Sequence, residues 1–151
     1  MPDRSHAKVI REKHRHEAEE IGIDEPFIAT LVDTFYAHIR ADAVLGPIFA
    51  GRIANWPHHL NRMRSFWRSI LLHTGEFSGN PMLKHMVIPD IGRDEFLHWL
   101  DIFAATLTEL ERDPQASTRI LAKARAIAES LHMGIQIHRD GITDPAAMTG
   151  L

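Results

Sequence analysis

Apolar residues recur every three or four positions along four stretches of the chain, which is the spacing of amphipathic helices. The first stretch begins with helix-start signals, because Asp24 is of a type favoured at N-caps and Pro26 falls in the first turn. The second has a similar proline at Pro57 and a stop signal at Gly75. The four predicted helices cover residues 27–40, 57–72, 93–113 and 116–139. No stretch alternates as a strand would, so the pattern predicts an all-α fold.

The segments between and outside these helices carry weaker patterns. Residues 45–55, LGPIFAGRIAN, contain two glycines and a proline, which predicts a loop with one short helical turn. Residues 1–23 are polar and weakly periodic, so we expect a helical or partly disordered N-terminal arm. Residues 140–151 are predicted to form a loose C-terminal tail. The remaining residues, 24–139, are predicted to form a single domain with one substantial core.

Composition narrows the possible classes of function. The chain has 17 basic and 20 acidic residues with no long run of one sign, so it lacks the basic stripe of a nucleic-acid binder. It has no cysteine, which excludes disulfides, thiolate metal sites and covalent haem attachment through Cys-x-x-Cys-His. The charged N-terminus lacks the apolar core of a signal peptide, and no apolar run approaches the ~20 residues that span a bilayer. We therefore expect a soluble cytoplasmic protein without nucleic-acid or membrane partners.

His85 has the most unusual setting of the 11 histidines. It lies in NPMLKHMVIP, residues 80–89, an apolar element that is bounded by prolines and too short to be an ordinary helix. A histidine on a short rigid support, with apolar neighbours that exclude water, suits a neutral imidazole metal ligand. The alternative reading of the same pattern is an imidazole that merely packs in the core.

Three of the predicted helices each direct one polar-tipped side chain toward the apolar interior. Tyr36, the only tyrosine, lies on the apolar face of the first helix, and Trp99 lies on that of the third. His59 precedes Met63 by four residues and so lies on or beside the buried face of the second helix, whereas His58 is rotated by about 100°. Simple core packing is the alternative for each of these side chains taken alone.

Two alternatives from other classes stay open. Glu95-x-x-His98 and Glu129-x-x-His132 match the repeated Glu-x-x-His pattern of di-iron helical bundles. That site also needs an inward carboxylate from each of two further helices, and neither the first nor the second predicted helix supplies one. Glu95 and Glu129 are therefore predicted to be ordinary solvated residues. The other alternative is a cofactor-free helical interaction module in which the histidines only pack.

Several blocks of sequence together resemble the group III truncated haemoglobins over residues 24–139. The blocks keep the order and spacing of that family, and as a set they are far more specific than any single piece. They are FY at 35–36, LGPIF at 45–49, WPHHLNRMRSFWRSILL at 56–72, TGEFSGNPMLKHMVIP at 74–89 and FLHWLDIF at 96–103. The resemblance implies a truncated globin fold, a two-over-two helical sandwich around non-covalently bound haem b.

The resemblance also implies roles for individual residues of this chain. His85 matches the proximal iron ligand, and the short proline-bounded element matches a proximal helix reduced to little more than one turn. The distal residues that stabilise a bound ligand match Tyr36, His59 and Trp99. Arg62 is similar in placement to a basic residue that meets a haem propionate. The full set of implied haem contacts is Phe35, Arg62, Met63, Phe66, Trp67, Met82, Lys84, Met86 and Ile88.

The function implied by the resemblance is binding of dioxygen, nitric oxide, carbon monoxide or cyanide at the iron. A donor from Tyr36 or Trp99 would stabilise partial negative charge on bound dioxygen. Nitric-oxide detoxification with an unidentified reductase is an implied cellular role. Peroxidase-like or other redox turnover ranks below ligand binding, because no carboxylate is evidently placed to strengthen the proximal ligand. His59 is expected either to gate entry or to bind iron directly.

Overall fold

The computed structural model describes residues 4–77, 91–111 and 113–139, and this part of the chain contains helices and no strand. The six helices are α1 (Arg4–Glu20), α2 (Glu25–Ala41), α3 (Leu45–Ala50), α4 (Trp56–Leu72), α5 (Arg93–Glu109) and α6 (Pro114–Arg139). The prediction of an all-α fold is confirmed. Within these ranges, no helix has both the length and the apolar character needed to cross a membrane.

The two central helices begin with the caps that the sequence predicts or allows. The Asp24 carboxylate accepts a 2.9 Å hydrogen bond from the Phe27 N–H at the start of α2. The Asn55 side chain accepts a 3.1 Å hydrogen bond from the His58 N–H at the start of α4. Both helices also have a proline in the first turn, where its missing N–H costs nothing. These caps fix where α2 and α4 start.

A six-residue helix, α3, occupies just over half of the segment that the sequence predicts to be a loop with one short helical turn. It begins because the Asp42 carboxylate accepts hydrogen bonds from the N–H groups of Val44, at 3.0 Å, and Leu45, at 2.8 Å. A side chain at Gly46 would place its Cβ 2.8 Å from the carbonyl oxygen of Arg40, which is too close for any residue but glycine. The loop is shorter than predicted, for two reasons. Asp42, which caps α3, lies outside the segment, and Gly46 permits close packing on Arg40 instead of interrupting the helix.

Aromatic side chains form the middle of the core. Helix α2 contacts α3, α4 and α5, while α1 packs on α4 and α6 packs on α5. The rings of Trp67 and Trp99 stack on Phe103 at centroid distances of 5.2 and 5.4 Å. Phe35 meets both Trp99 and Phe103 edge-on. Because buried rings are closely packed, this cluster provides a rigid support for the side chains beside it.

The polar N-terminal arm is a helix over the residues of α1. Its last turn joins the core through Ala18, and Ile23 is buried just beyond it. The ring of His14 lies 5.0 Å from that of His73, which follows α4. The helical alternative for the arm is therefore the one observed, while the domain boundary at residue 24 stays a prediction.

Candidate functional site

A cavity of about 560 Å³ opens beside the aromatic core, between α3, α4, α5 and α6 with one side chain from α2. Its volume falls within the ~300–1,000 Å³ typical of sites for small molecules and cofactors. The apolar part of the wall includes Leu45, Ile48, Phe49, Ile53, Met63, Phe66, Trp67, Phe77, Ile91, Phe96, Ile127 and Leu131. The polar-tipped and charged residues along it are Tyr36, Arg52, Asn55, His58, His59, Arg62, Glu95 and Trp99.

Tyr36 enters the cavity from α2. Its residue surface is only 6% exposed, and its ring packs edge-on against Phe35 and Phe49. Burial raises the pKa of the Tyr36 phenol well above its ordinary value. A phenol is protonated at physiological pH even with its ordinary pKa, and burial here disfavours loss of the proton further, so the hydroxyl remains a hydrogen-bond donor.

His59 belongs to α4 and lies beside Tyr36 of α2. The two rings are 5.1 Å apart at 88°, and the His59 ring is also 5.7 Å from that of Trp56, again at 88°. The Nε2 atom of His59 is buried. His58 also borders the cavity, but it is an exposed residue. Of the two adjacent histidines, His59 is thus the one that extends inward.

Trp99 reaches the cavity from α5. Its ring is held by the stack on Phe103 and by an edge contact with Phe35, whose centroid is 5.1 Å away. Tyr36, His59 and Trp99 thus all line the cavity, and Tyr36 and Trp99 both pack on Phe35. Phe35 is 1% exposed and is not among the described lining residues, so it supports Tyr36 and Trp99 from behind.

The other predicted contacts on α4 all line the cavity. Met63, Phe66 and Trp67 contribute apolar surface, and Arg62 is half-buried with its guanidinium 5.5 Å from the ring of Phe77. The remaining predicted residues lie outside the described ranges. They are His85, with Met82, Lys84, Met86 and Ile88.

Several lining residues are absent from the prediction, although some of them carry a signal. Phe96, Ile127 and Leu131 belong to the apolar faces of α5 and α6, so helical periodicity places them inward without distinguishing a cavity from packed core. Phe77 lies just after α4 and packs on Phe66, with ring centroids 5.2 Å apart. No local pattern predicts that contact, because it depends on how the chain turns after the helix.

Glu95 is half-buried and lines the cavity, so the prediction that it is a solvated residue is wrong. Its carboxylate accepts a 3.1 Å hydrogen bond from the Gly92 N–H and so caps α5. His98, its partner in the di-iron pattern, instead contacts the Asp42 carboxylate at 2.8 Å. Glu129 is exposed, as predicted. In the described ranges no three histidine or acidic side chains are grouped so that they could hold a metal ion.

The described residues around the cavity carry more positive than negative charge. Arg52 and Arg62 border it, and the one carboxylate among these lining residues is that of Glu95, which is already engaged with a backbone N–H. A ligand that is mainly apolar and carries acidic groups at one edge would match both the wall and these cations.

The chain after α4 folds back on that helix and thereby fixes one wall of the cavity. His73 and Gly75 both have left-handed φ angles, 56° and 70°, which reverse the chain direction. The Glu76 carboxylate then accepts a 2.9 Å hydrogen bond from Nε of Arg68. The Phe77 N–H donates to the hydroxyl of Ser69 at 2.9 Å. These two contacts hold the Phe77 ring against the cavity.

Comparison with known proteins identifies relatives of the chain. The family model described as bacterial-like globin matches residues 18–133. The chain is 33% identical over 110 residues to Group 3 truncated hemoglobin ctb of Campylobacter jejuni, an alignment that covers 70% of this chain and 86% of that protein. It is also similar to the crystal structure of group III truncated hemoglobin from Campylobacter jejuni. That match has a TM-score of 0.70 and 31% identity, and covers 75% of this chain and 91% of the other.

Proposed function

Because this chain belongs to the bacterial-like globin family, and within it to the group III truncated haemoglobins, we propose that the cavity holds haem b and presents a diatomic ligand to Tyr36, His59 and Trp99. Membership of the family implies a haem cofactor and the binding of small gaseous ligands such as dioxygen. The observation that carries the proposal is the cavity itself, which combines apolar walls, cations at its border and three polar-tipped side chains among its lining residues.

The chemistry of the wall fits a flat, largely apolar macrocycle with two carboxylates. Met63, Phe66 and Phe96 offer apolar surface to the ring system. Arg62 is the candidate partner of a propionate, because a half-buried guanidinium forms a stronger charge-assisted hydrogen bond than one in open water. Arg52 borders the same cavity and adds positive charge there.

Polarity next to the bound gas is the main contribution of the chain to ligand affinity. When bound, haem supplies the iron coordination position that a diatomic ligand occupies. The Tyr36 hydroxyl, whose loss of a proton burial disfavours, donates to a ligand that carries partial negative charge. The Trp99 indole N–H is a second donor from the cavity wall, and its ring is fixed by Phe103. Dioxygen gains more from such donors than carbon monoxide does, since it carries more negative charge when bound.

His85 is our assignment for the iron ligand, on the basis of its sequence setting and the family resemblance. The test is the visible spectrum of the ferric and ferrous protein, with and without carbon monoxide. We expect an intense Soret band that shifts with carbon monoxide, and loss of haem or rescue by added imidazole in His85→Ala. His16→Ala, which alters an exposed histidine of α1, is the matched control and should keep the parent spectrum.

Each outcome has a separate meaning. If His85→Ala keeps the parent spectrum, the ligand assignment is wrong while haem binding stands. If the folded parent protein is colourless, the haem function fails, and the cofactor-free helical interaction module becomes the better account. Two irons without porphyrin would instead favour the di-iron alternative.

Nitric-oxide detoxification is the cellular role that we attach to this site. The oxygenated protein should consume nitric oxide, and an added reductase with its electron donor should make that consumption continuous. Consumption that stops after one equivalent despite the reductase would limit the function to ligand binding. A parallel assay of peroxide-dependent dye oxidation measures the redox activity that we rank lower.

A further inference from the structure

We infer that Trp56, held in place by Arg40, is a positioning residue that keeps the imidazole of His59 turned into the cavity. The inference rests on the proposed function, in which His59 is one of the residues beside the bound ligand. It concerns two side chains on the outer side of that site, neither of which is among the described residues of the cavity wall.

Three rings form a closed triangle at this place. The centroid distances are 5.1 Å from Tyr36 to His59, 5.7 Å from Trp56 to His59 and 6.1 Å from Tyr36 to Trp56. All three fall in the range of roughly 4.5–7 Å in which aromatic pairs attract. The imidazole stands at 88° to both of its neighbours. An outward rotation of His59 therefore breaks two edge-to-face contacts at once.

Trp56 is placed to act on His59 by the helix that carries both residues. It is the first residue of α4 and precedes His59 by three positions, so the two side chains share one face of the helix. Tyr36 contacts the imidazole from the cavity side, since it belongs to the cavity wall and is buried. Trp56 is only half-buried and so closes the triangle toward solvent.

Arg40 fixes the position of the indole. Its guanidinium carbon lies 4.4 Å from the centre of the Trp56 ring, a close cation–π contact. Arg40 is in the last turn of α2, four residues after Tyr36. Helix α2 thus sets both of these ring contacts of the imidazole, the one with Tyr36 directly and the one with Trp56 through the guanidinium. A change in how α2 and α4 meet at this end would alter the orientation of His59.

Arg40→Gln is the decisive variant because it removes the cation and leaves all three rings and the cavity volume unchanged. Trp56→Ala removes the ring contact itself, and Arg40→Lys restores a cation. The matched control is Arg64→Gln, which also breaks a contact between α2 and α4, the 3.1 Å hydrogen bond from Arg64 Nε to Asp33, but touches none of the three rings.

Two measurements report the position of His59. The first is an NMR titration of its imidazole, which needs no bound gas and detects increased contact with solvent. The second is the rate of carbon monoxide association with the ferrous haem protein. We expect Trp56→Ala to increase that rate about fivefold, the equivalent of one lost aromatic contact, and Arg40→Gln about twofold. Arg40→Lys and Arg64→Gln should match the parent in both measurements.

Repetition in a His59→Ala background separates positioning from a simple widening of the entry path. If Trp56 and Arg40 act through the imidazole, the rate effects of both substitutions should vanish there. Effects that persist without His59, or an unchanged His59 titration in both variants, would overturn the inference. Equal effects in Arg64→Gln would overturn it too, because they would indicate general loosening of the helix pair. Failure of the protein to bind haem would instead count against the proposed function, and the imidazole titration would still decide the positioning.

Discussion

The contact between Arg68 and Glu76 predicts a specific loss of stability in acid. Glu76→Gln removes a carboxylate whose Oε1 accepts hydrogen bonds from both Nε and Nη2 of Arg68. That bonding is the main cause that lowers the pKa of Glu76 from 4.5 to about 2, and hydrogen bonds with Thr74 and Ser65 add to it. Because the carboxylate has the lower pKa in the folded state, its contribution is fully present above pH 4.5. It is lost as the pH falls from there toward about 2.

The size of the effect follows from the shift and from exposure. The full pKa difference would correspond to roughly 3 kcal/mol. The two side chains are 25% and 34% exposed, so solvent screens the pair. The expected loss of unfolding free energy is therefore about 1 kcal/mol at neutral pH. In a chain of 151 residues, that loss lowers the melting temperature by about 2–4 °C.

Urea unfolding followed by circular dichroism between pH 7 and pH 2.5 measures this contribution. The parent should be more stable than Glu76→Gln at pH 7, and the difference should shrink below pH 4.5. Glu129→Gln, an exposed substitution of the same chemistry on α6, should lie close to the parent throughout. A difference that stays constant down to pH 2.5, or that Glu129→Gln reproduces, would refute the assignment of the effect to the contact with Arg68.

Three further predictions test the site and the fold. Tyr36→Phe should speed dioxygen release about tenfold, because one hydrogen-bond donor is lost, and stopped flow measures that rate. If the rate is unchanged even in a double variant with Trp99→Phe, neither residue stabilises the ligand. Gly46→Ala should lower the unfolding free energy by about 1–3 kcal/mol, because its Cβ would meet a carbonyl of α2 at 2.8 Å. Gly51→Ala, whose nearest contact is 3.6 Å, should be tolerated, and equal losses in thermal melts would contradict the steric argument. Asp42→Ala should cost about 1 kcal/mol as α3 loses its cap, and a melt like that of the parent would show that the cap is unimportant.

Helical periodicity and caps in the sequence were sufficient to predict the central helices of the fold. The starts of α2 and α4 follow from Asp24 and the first-turn prolines, and the structure has both. The end of α4 at Leu72 agrees with the predicted range as well, whereas the length of α3 was harder to predict, because it depends on a residue outside the segment. Asp42 starts α3 from the preceding turn. His73 closes α4 in a left-handed conformation, which cannot be predicted from the presence of a histidine.

The inward direction of Tyr36, His59 and Trp99 was predictable for the same reason as the helices. Each lies on the apolar face of its helix, and when that face is buried the polar atoms of these side chains are placed inside the protein as well. Periodicity does not distinguish a helix face that lines a cavity from one that packs against other side chains. For this reason Phe96 and Leu131 were not assigned to the site. Contacts that join distant segments, such as Arg40 on Trp56, need the three-dimensional arrangement of the helices.

The way the donors are held explains how a buried polar group can serve a ligand instead of the fold. Tyr36 and Trp99 are fixed through their rings, by Phe35 in both cases and by Phe103 for the indole. Ring contacts are energetically favourable without using the hydroxyl or the indole N–H. The polar ends are thus not required to hold the side chains in place, and they can be directed at whatever occupies the cavity. Burial also disfavours loss of the Tyr36 proton, so the same packing that positions the donor helps to preserve its proton.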